Sequence, residues 1–149
     1  MNHIQTPLNI VLAEDDIDDR FFFNKALEEI PISTHLTIVK DGEDLMNYLE
    51  NNLNNLPDIV FLDLSMPKKT GFECLIEIKE DKRLKSIYVI VFTTSFGRSS
   101  SYEQSLIDTL LHIGAQKYIR KPSDIEQLKV IIHKALIDVM ANKSLKIDE

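Results

Sequence analysis

Positive charge is in short supply in this chain: 17 Lys and Arg stand against 24 Asp and Glu, a formal net charge of −7 over 149 residues. Neutralising a phosphate backbone needs clustered Lys and Arg, so this balance argues against nucleic acid as a direct partner. Long apolar runs are missing as well. None exceeds the six residues Ile87–Phe92, far short of the roughly 20 that a membrane span requires. The opening MNHIQTP has neither a basic n-region nor an apolar h-region, so no export signal is expected and the cytoplasm is the expected location. A single cysteine, Cys74, excludes an internal disulfide, fits a reducing compartment and reads as a packed helix thiol. Repeats, low-complexity tracts and interdomain linkers are absent. The expectation is one domain over residues 1–149, with its core at about 9–140 and a short tail, ANKSLKIDE, fraying at the end.

What is present is an ordinary globular composition, 44% hydrophobic and 28% charged, arranged in alternating short apolar runs and helical patterns. The runs Ile10–Ala13, Leu36–Val39, Ile59–Leu62, Tyr88–Phe92 and Tyr118–Ile119 read as strands. The first, third and fourth are apolar throughout, as in strands covered on both faces of a parallel sheet. Between them, Asp16–Ile30 carries Phe22, Phe23, Ala26, Leu27 and Ile30 as one helical stripe. Leu45, Tyr48 and Leu49 mark a second helix. A third opens with the capping-box pattern Thr70-Gly-Phe-Glu73, and a fourth runs past Tyr102, Leu106 and Leu110 to end at Gly114. The fifth opens with a second such pattern, Ser123-Asp-Ile-Glu126, and extends to about Met140. Five strands alternating with five helices predict an α/β fold with a parallel sheet and right-handed crossovers.

In such sheets ligands bind at the carboxyl ends of the strands. Strand one ends at Glu14-Asp15-Asp16, strand three at Asp63, strand four at Thr93-Thr94 and strand five at Lys121-Pro122. Acids, a hydroxyl and a lysine therefore converge at one sheet edge. The stretch LAEDDIDD alone places five carboxylates in eight residues. That crowding needs a cation to repay its repulsion.

The acid pair Glu14-Asp15, the segment FLDLSMPKKTG with Asp63, Met66, Pro67 and Gly71, Thr93 after the fourth strand, and YIRKP with Lys121 and Pro122 occur in order on the right elements. On these residues the chain resembles the receiver domain of two-component response regulators, over roughly Asn9 to Met140. EDDIDDRFFF also looks like the stand-alone regulators that serve phytochrome-type kinases. The resemblance implies a flavodoxin-like, doubly wound sheet of order 2-1-3-4-5 with helices on both faces. It implies a phosphorylatable switch: a sensor histidine kinase donates a phosphoryl group to Asp63, and signalling follows through contacts with a downstream protein target or by passing the group onward as a phosphorelay intermediate. No residues are expected to remain for an attached output domain. A carboxylate can hold a phosphoryl group as an acyl phosphate, and such transfer is chiefly positioning and electrostatics. Mg²⁺ suits the acids: Asp15, Asp63 and the Ser65 carbonyl as direct ligands, Glu14 through water. Lys121 would supply a compact charge to a phosphoryl oxygen and Thr93 a hydrogen bond to another, with Tyr118 repacking behind Thr93. The family also implies a cis bond between Lys121 and Pro122.

Competing readings exist for each piece. An acid after a buried strand is often only a helix cap, which Asp16 is expected to be, and Asp18 and Asp19 suit a helix N-terminus through its dipole. His3, His35, His112 and His133 show no metal-ligand spacing. A haloacid-dehalogenase-like phosphatase would want a second Asp where Ser65 stands, and a flavodoxin-type nucleotide site would want a Gly- or Ser-rich loop where the acids are. Two departures from the family pattern stand beside the site. SFGRSSS, residues 95–101, lengthens the passage after Thr93, while Ser65 and Thr94 flank the expected phosphoryl position. At 100° per residue Phe21 and Ile17 point away from the first helix's apolar stripe, which suggests a docking patch for a partner helix, with a homodimer surface as the alternative.

Overall fold

The computed structural model describes residues 6–94 and 100–147; the segment 95–99, which holds most of SFGRSSS, lies outside them. The elements alternate as the sequence pattern requires. They are β1 Leu8–Ala13, α1 Ile17–Glu28, β2 Thr34–Val39, α2 Gly42–Asn51, β3 Ile59–Leu62, α3 Gly71–Glu80, β4 Tyr88–Thr93, α4 Ser100–Ile113, β5 Lys117–Arg120 and α5 Ile125–Ile147. All strand pairs are parallel and the sheet order is β2-β1-β3-β4-β5, the flavodoxin-like arrangement.

The uninterrupted apolar character of β1, β3 and β4 follows from burial on both faces. Ile10, Leu12, Ile59, Phe61, Ile90 and Phe92 point to one side, where they pack with Phe23, Ala26 and Leu27 of α1 and Leu128, Ile132 and Leu136 of α5. Val11, Ala13, Val60, Leu62, Val89 and Val91 point to the other, against Leu45 and Leu49 of α2, Leu75 and Ile78 of α3, and Leu110 of α4. The first core is built around three phenylalanines, Phe23, Phe61 and Phe92, with ring centroids 4.9–6.0 Å apart in edge-to-face contact. Cys74 is buried with its Sγ 3.4 Å from the Gly42 carbonyl, and burial pushes the thiol up to about 12. It is a packed helix thiol.

Caps close the helices where expected, with one displacement. Asp16 caps α1 through the Asp19 amide, and Thr70 and Glu73 form a reciprocal capping box on α3. The second box shifts: α5 begins at Ile125, so Asp124 and not Ser123 occupies the cap. Its carboxylate accepts from the Glu126 amide at 2.7 Å and its carbonyl starts the helical ladder with the Leu128 amide. Gly114 ends α4 at a φ of 133°, which a side chain would resist.

Three further expectations need correction. Phe22 does not join the buried stripe of α1 but is 48% exposed, because it sits at the stripe's margin beside a cleft that the β5–α5 loop leaves open. The fifth helix does not stop at Met140. It continues to Ile147, since residues 141–147 contain no helix breaker and Lys143 is anchored to Asp58 at 2.9 Å. The Lys121–Pro122 bond is trans, the ordinary state of an X–Pro peptide, and in that state the Lys121 amide reaches the Thr93 carbonyl at 2.8 Å.

Candidate functional site

Parallel pairing brings the strand ends to one edge. Ala13 pairs with Leu62 and Thr93 with Arg120. The ladder then runs one step past the strands, with the Asp63 amide donating to Ala13 and the Lys121 amide to Thr93. Glu14, Asp63, Thr93 and Lys121 are therefore carried on adjacent rods of one sheet, although up to 107 positions separate them.

Asp63 lies at the centre and is buried. Its Oδ1 accepts from the Thr93 hydroxyl at 2.9 Å and from the Ser65 amide at 3.2 Å, and its Oδ2 faces the Lys121 ammonium at 3.1 Å. The same ammonium donates to Glu14 Oε1 and, at 2.9 Å, to Asp19 Oδ2. Glu14 is 1% exposed, and its Oε2 accepts from the Asp16 amide at 3.2 Å. Asp15 and Ser65 are exposed at the rim, as is Thr94.

This packing perturbs two groups strongly. Burial, reinforced by hydrogen bonding to Asp63, raises the Glu14 carboxyl to about 8, against the lowering influence of Lys121. Burial alone would lower the Lys121 ammonium, but hydrogen bonds to Glu14 and Asp19 and the charge of Asp63 outweigh it and hold it above its usual value. Beneath the ammonium lies the Phe92 ring, 5.8 Å away at its centroid.

Two glycines fit the loop after β3 into place. A Cβ on Gly71 would stand 2.0 Å from the Asp63 carbonyl oxygen, and one on Gly42 would stand 2.0 Å from that of Lys69. Lys68, between them, adopts a left-handed φ of 67°, a conformation uncommon for any residue with a side chain.

Glu14, Asp15 and Asp63 each offer an oxygen, all within 4.8 Å of one another. An all-carboxylate set suits a hard divalent cation and not a soft one. Among the described residues no histidine joins the cluster: His35 and His112 are exposed and His133 half-buried on α5, while His3 lies outside the described residues. Tyr118 is half-buried against the core under α2, α3 and α4, and its buried hydroxyl has no hydrogen-bond partner among the described residues.

Two contributors were missed in the sequence. The sequence marks Asp19 only as a dipole-favoured acid, yet its carboxylate turns inward to Lys121. Arg20 bonds the Glu14 carbonyl through Nε at 2.7 Å and the Asp15 carbonyl through Nη2 at 3.3 Å, clamping the turn that carries two of the three acids. Their position in the first turn after an acid-rich strand end was the only available signal.

The sheet order β2-β1-β3-β4-β5, with a buried Asp at the end of β3 flanked by a hydroxyl, a lysine and an acid cluster, defines a flavodoxin-like α/β class with its polar groups gathered at the carboxyl edge. Residues 10–133 match the response regulator receiver domain model, and the chain belongs to that family, the receiver domains of two-component response regulators. The response regulator Rcp1 of Synechocystis sp. is 34% identical over 129 residues, covering 82% of each chain. The Mn²⁺-bound structure of Rcp1 superposes with a TM-score of 0.73 at 30% identity, covering 86% of this chain and 91% of that one. The phosphorylated cyanobacterial phytochrome response regulator RcpA gives 0.74 at 32% identity, covering 87% and 91%. Among the described residues no helix is long and apolar enough to cross a membrane.

Proposed function

We propose that this chain is a single receiver domain that accepts a phosphoryl group on Asp63 from a sensor histidine kinase, with Mg²⁺, in the cytoplasm. The observation that carries the reading is the environment of Asp63: a buried carboxylate held on one oxygen by Thr93 and on the other by Lys121, at the side of two further acids. In the transfer, an Asp63 oxygen forms the new bond to phosphorus while the bond from phosphorus to the donor's imidazole nitrogen breaks, the nitrogen keeping the electron pair. Asp15 and Asp63, the Ser65 carbonyl and, through water, Glu14 would hold the cation. The cation supplies charge neutralisation for the phosphoryl oxygens. Lys121 provides the fixed positive charge of the protein, and the Thr93 hydroxyl, released from Asp63 Oδ1, donates to a phosphoryl oxygen. Water later hydrolyses the acyl phosphate and resets the switch.

Drawing Thr93 toward the phosphoryl group vacates space behind it, into which the half-buried Tyr118 ring repacks, biasing the surface formed by α4, β4 and β5. Output then runs through a downstream protein target or onward phosphotransfer. Input has a candidate surface on α1, where Ile17 and Phe21 are 75% and 60% exposed beside the acid pocket; the rival use of that surface is a homodimer. The Mn²⁺-bound and phosphorylated relatives support the metal and phosphoacceptor readings. A phosphatase reading is weaker, because Ser65 cannot serve as the general acid that such turnover needs. The test is labelling with a small phosphodonor and MgCl₂: wild type gains one phosphoryl mass, Asp63→Asn gains none, and stable labelling of Asp63→Asn elsewhere overturns the assignment.

A further inference from the structure

A lysine ammonium has three N–H donors, and Lys121 directs them to three different carboxylates, Glu14, Asp63 and Asp19. Two of these acceptors belong to the acid cluster. Asp19 does not: it enters from the first turn of α1, with its amide tied to Asp16 Oδ1 at 2.9 Å. Helix capping does not require its side chain to turn inward. An acid in the first turn serves the helix dipole equally well from solvent, as exposed Asp18 does one residue earlier. Nor is this an ordinary surface ion pair, whose worth is small, because the Lys121 side chain is only 9% exposed. Asp19 and Lys121 stand together in the wall of an open cleft of about 290 Å³, whose apolar side includes Phe22, Phe92 and Leu128 and whose rim carries Ser123 and Asp124.

The saturation of the ammonium matters for phosphoryl chemistry, on the reading that Asp63 is the acceptor. A phosphoryl group arriving at Asp63 presents new anionic oxygens to a cation whose donors are already engaged. To bond them, Lys121 must loosen its hold on a carboxylate. Glu14 is enclosed, and Asp63 carries the group itself. Asp19, about a third exposed, is the acceptor left in direct competition, and its charge stands within two hydrogen-bond lengths of Asp63.

We propose that Asp19 restrains phosphorylation, holding the Lys121 ammonium on the α1 side in competition with the incoming phosphoryl group. It touches no reacting atom and acts as a positioning residue through Lys121.

The experiment compares labelling rates with acetyl phosphate and MgCl₂ for wild type, Asp19→Asn, Asp19→Glu and Asp18→Asn, read by intact mass. Removing one charge at about 6 Å with an effective dielectric of about 40–80 predicts labelling of Asp19→Asn roughly three- to tenfold faster than wild type. Asp19→Glu restores the wild-type rate, and Asp18→Asn, the same charge change in the same turn, stays within about twofold. Damage to a merely structural ion pair does not accelerate a reaction, so the direction is diagnostic. An Asp19→Asn protein no faster than Asp18→Asn, or an Asp19→Glu protein as fast as Asp19→Asn, overturns the proposal. If wild type labels at Asp63 and Asp19→Asn fails to accelerate, only the restraint is refuted; if Asp63→Asn labels like wild type, the phosphoacceptor reading falls instead.

Discussion

Replacing Lys121 by methionine removes one cation and keeps most of the apolar stem. Three carboxylates then lose their shared partner, two of them in residues that are almost fully enclosed. Removing one member of a buried ion pair costs about 3–5 kcal/mol when the other is left charged. Here the cost is smaller, because the Glu14 carboxyl is raised to about 8 and takes up a proton readily near pH 7 once the ammonium is gone. We expect about 2–3 kcal/mol at pH 7. For a chain of this length that lowers the thermal midpoint by about 4–12 °C.

The pH dependence has a definite sign. The Lys121 pKa is raised above its unfolded value of 10.5, so the lysine is charged in both states below pH 10, and its contribution is lost only as pH rises through the folded value. The variation between pH 5 and 8 therefore comes from the carboxyls. Glu14 titrates at about 8 folded and 4.5 unfolded, so folding takes up a proton and stability falls as pH rises through that window. In Lys121→Met the lowering influence of the ammonium on Glu14 is gone, and that carboxyl rises further. The variant's deficit against wild type is therefore widest near pH 8 and narrows toward pH 5. Thermal unfolding followed by circular dichroism at pH 5, 7 and 8 in chelator measures this directly. A variant within about 1 kcal/mol of wild type at pH 7, or a deficit that grows on acidification, refutes the reasoning.

Other perturbations test separate parts of the structure. Gly71→Ala places a Cβ 2.0 Å from the Asp63 carbonyl, a clash with backbone that cannot move away cheaply. It should cost more than about 2 kcal/mol in denaturant unfolding and depress Asp63 labelling in the folded fraction. Cys74, with its thiol raised to about 12, should react with a thiol reagent at pH 8 only as fast as the chain opens, so that urea, and not reagent concentration, controls the rate at high reagent. Phe21→Ala should slow phosphotransfer from the cognate kinase while leaving acetyl phosphate labelling unchanged; equal loss with both donors would make Phe21 a fold residue.

The strand ends were legible because the chemistry obeys topology. Once Ile10–Ala13, Ile59–Leu62 and Tyr88–Phe92 are read as parallel strands, Asp15, Asp63 and Thr93 must share an edge. The reach of single side chains was not legible. Helical periodicity places Phe22 in the core-facing stripe but carries no information on whether the β5–α5 loop would cover it. The pairing of Asp58 with Lys143 joins residues far apart in the chain, so the pattern around Met140 gave no reason to extend α5. Asp19 shows the limit most clearly. Its local role at a helix start accounts fully for its presence, and that sufficiency hid its turn toward Lys121.

The length of α5 has a mechanical corollary. At 1.5 Å per residue its 23 residues span about 35 Å, whereas a six-residue strand spans about 20 Å. The helix starts beside Lys121 at the reactive pole and overhangs the opposite one, where Lys143 clips it to the residue that precedes β3. It is a mast rooted at the chemistry and guyed at the far end. A dye, surface linker or fusion attached beyond that clip rides on a stiff rod that keeps it a molecular diameter from Asp63, so it can report on the switch without entering it.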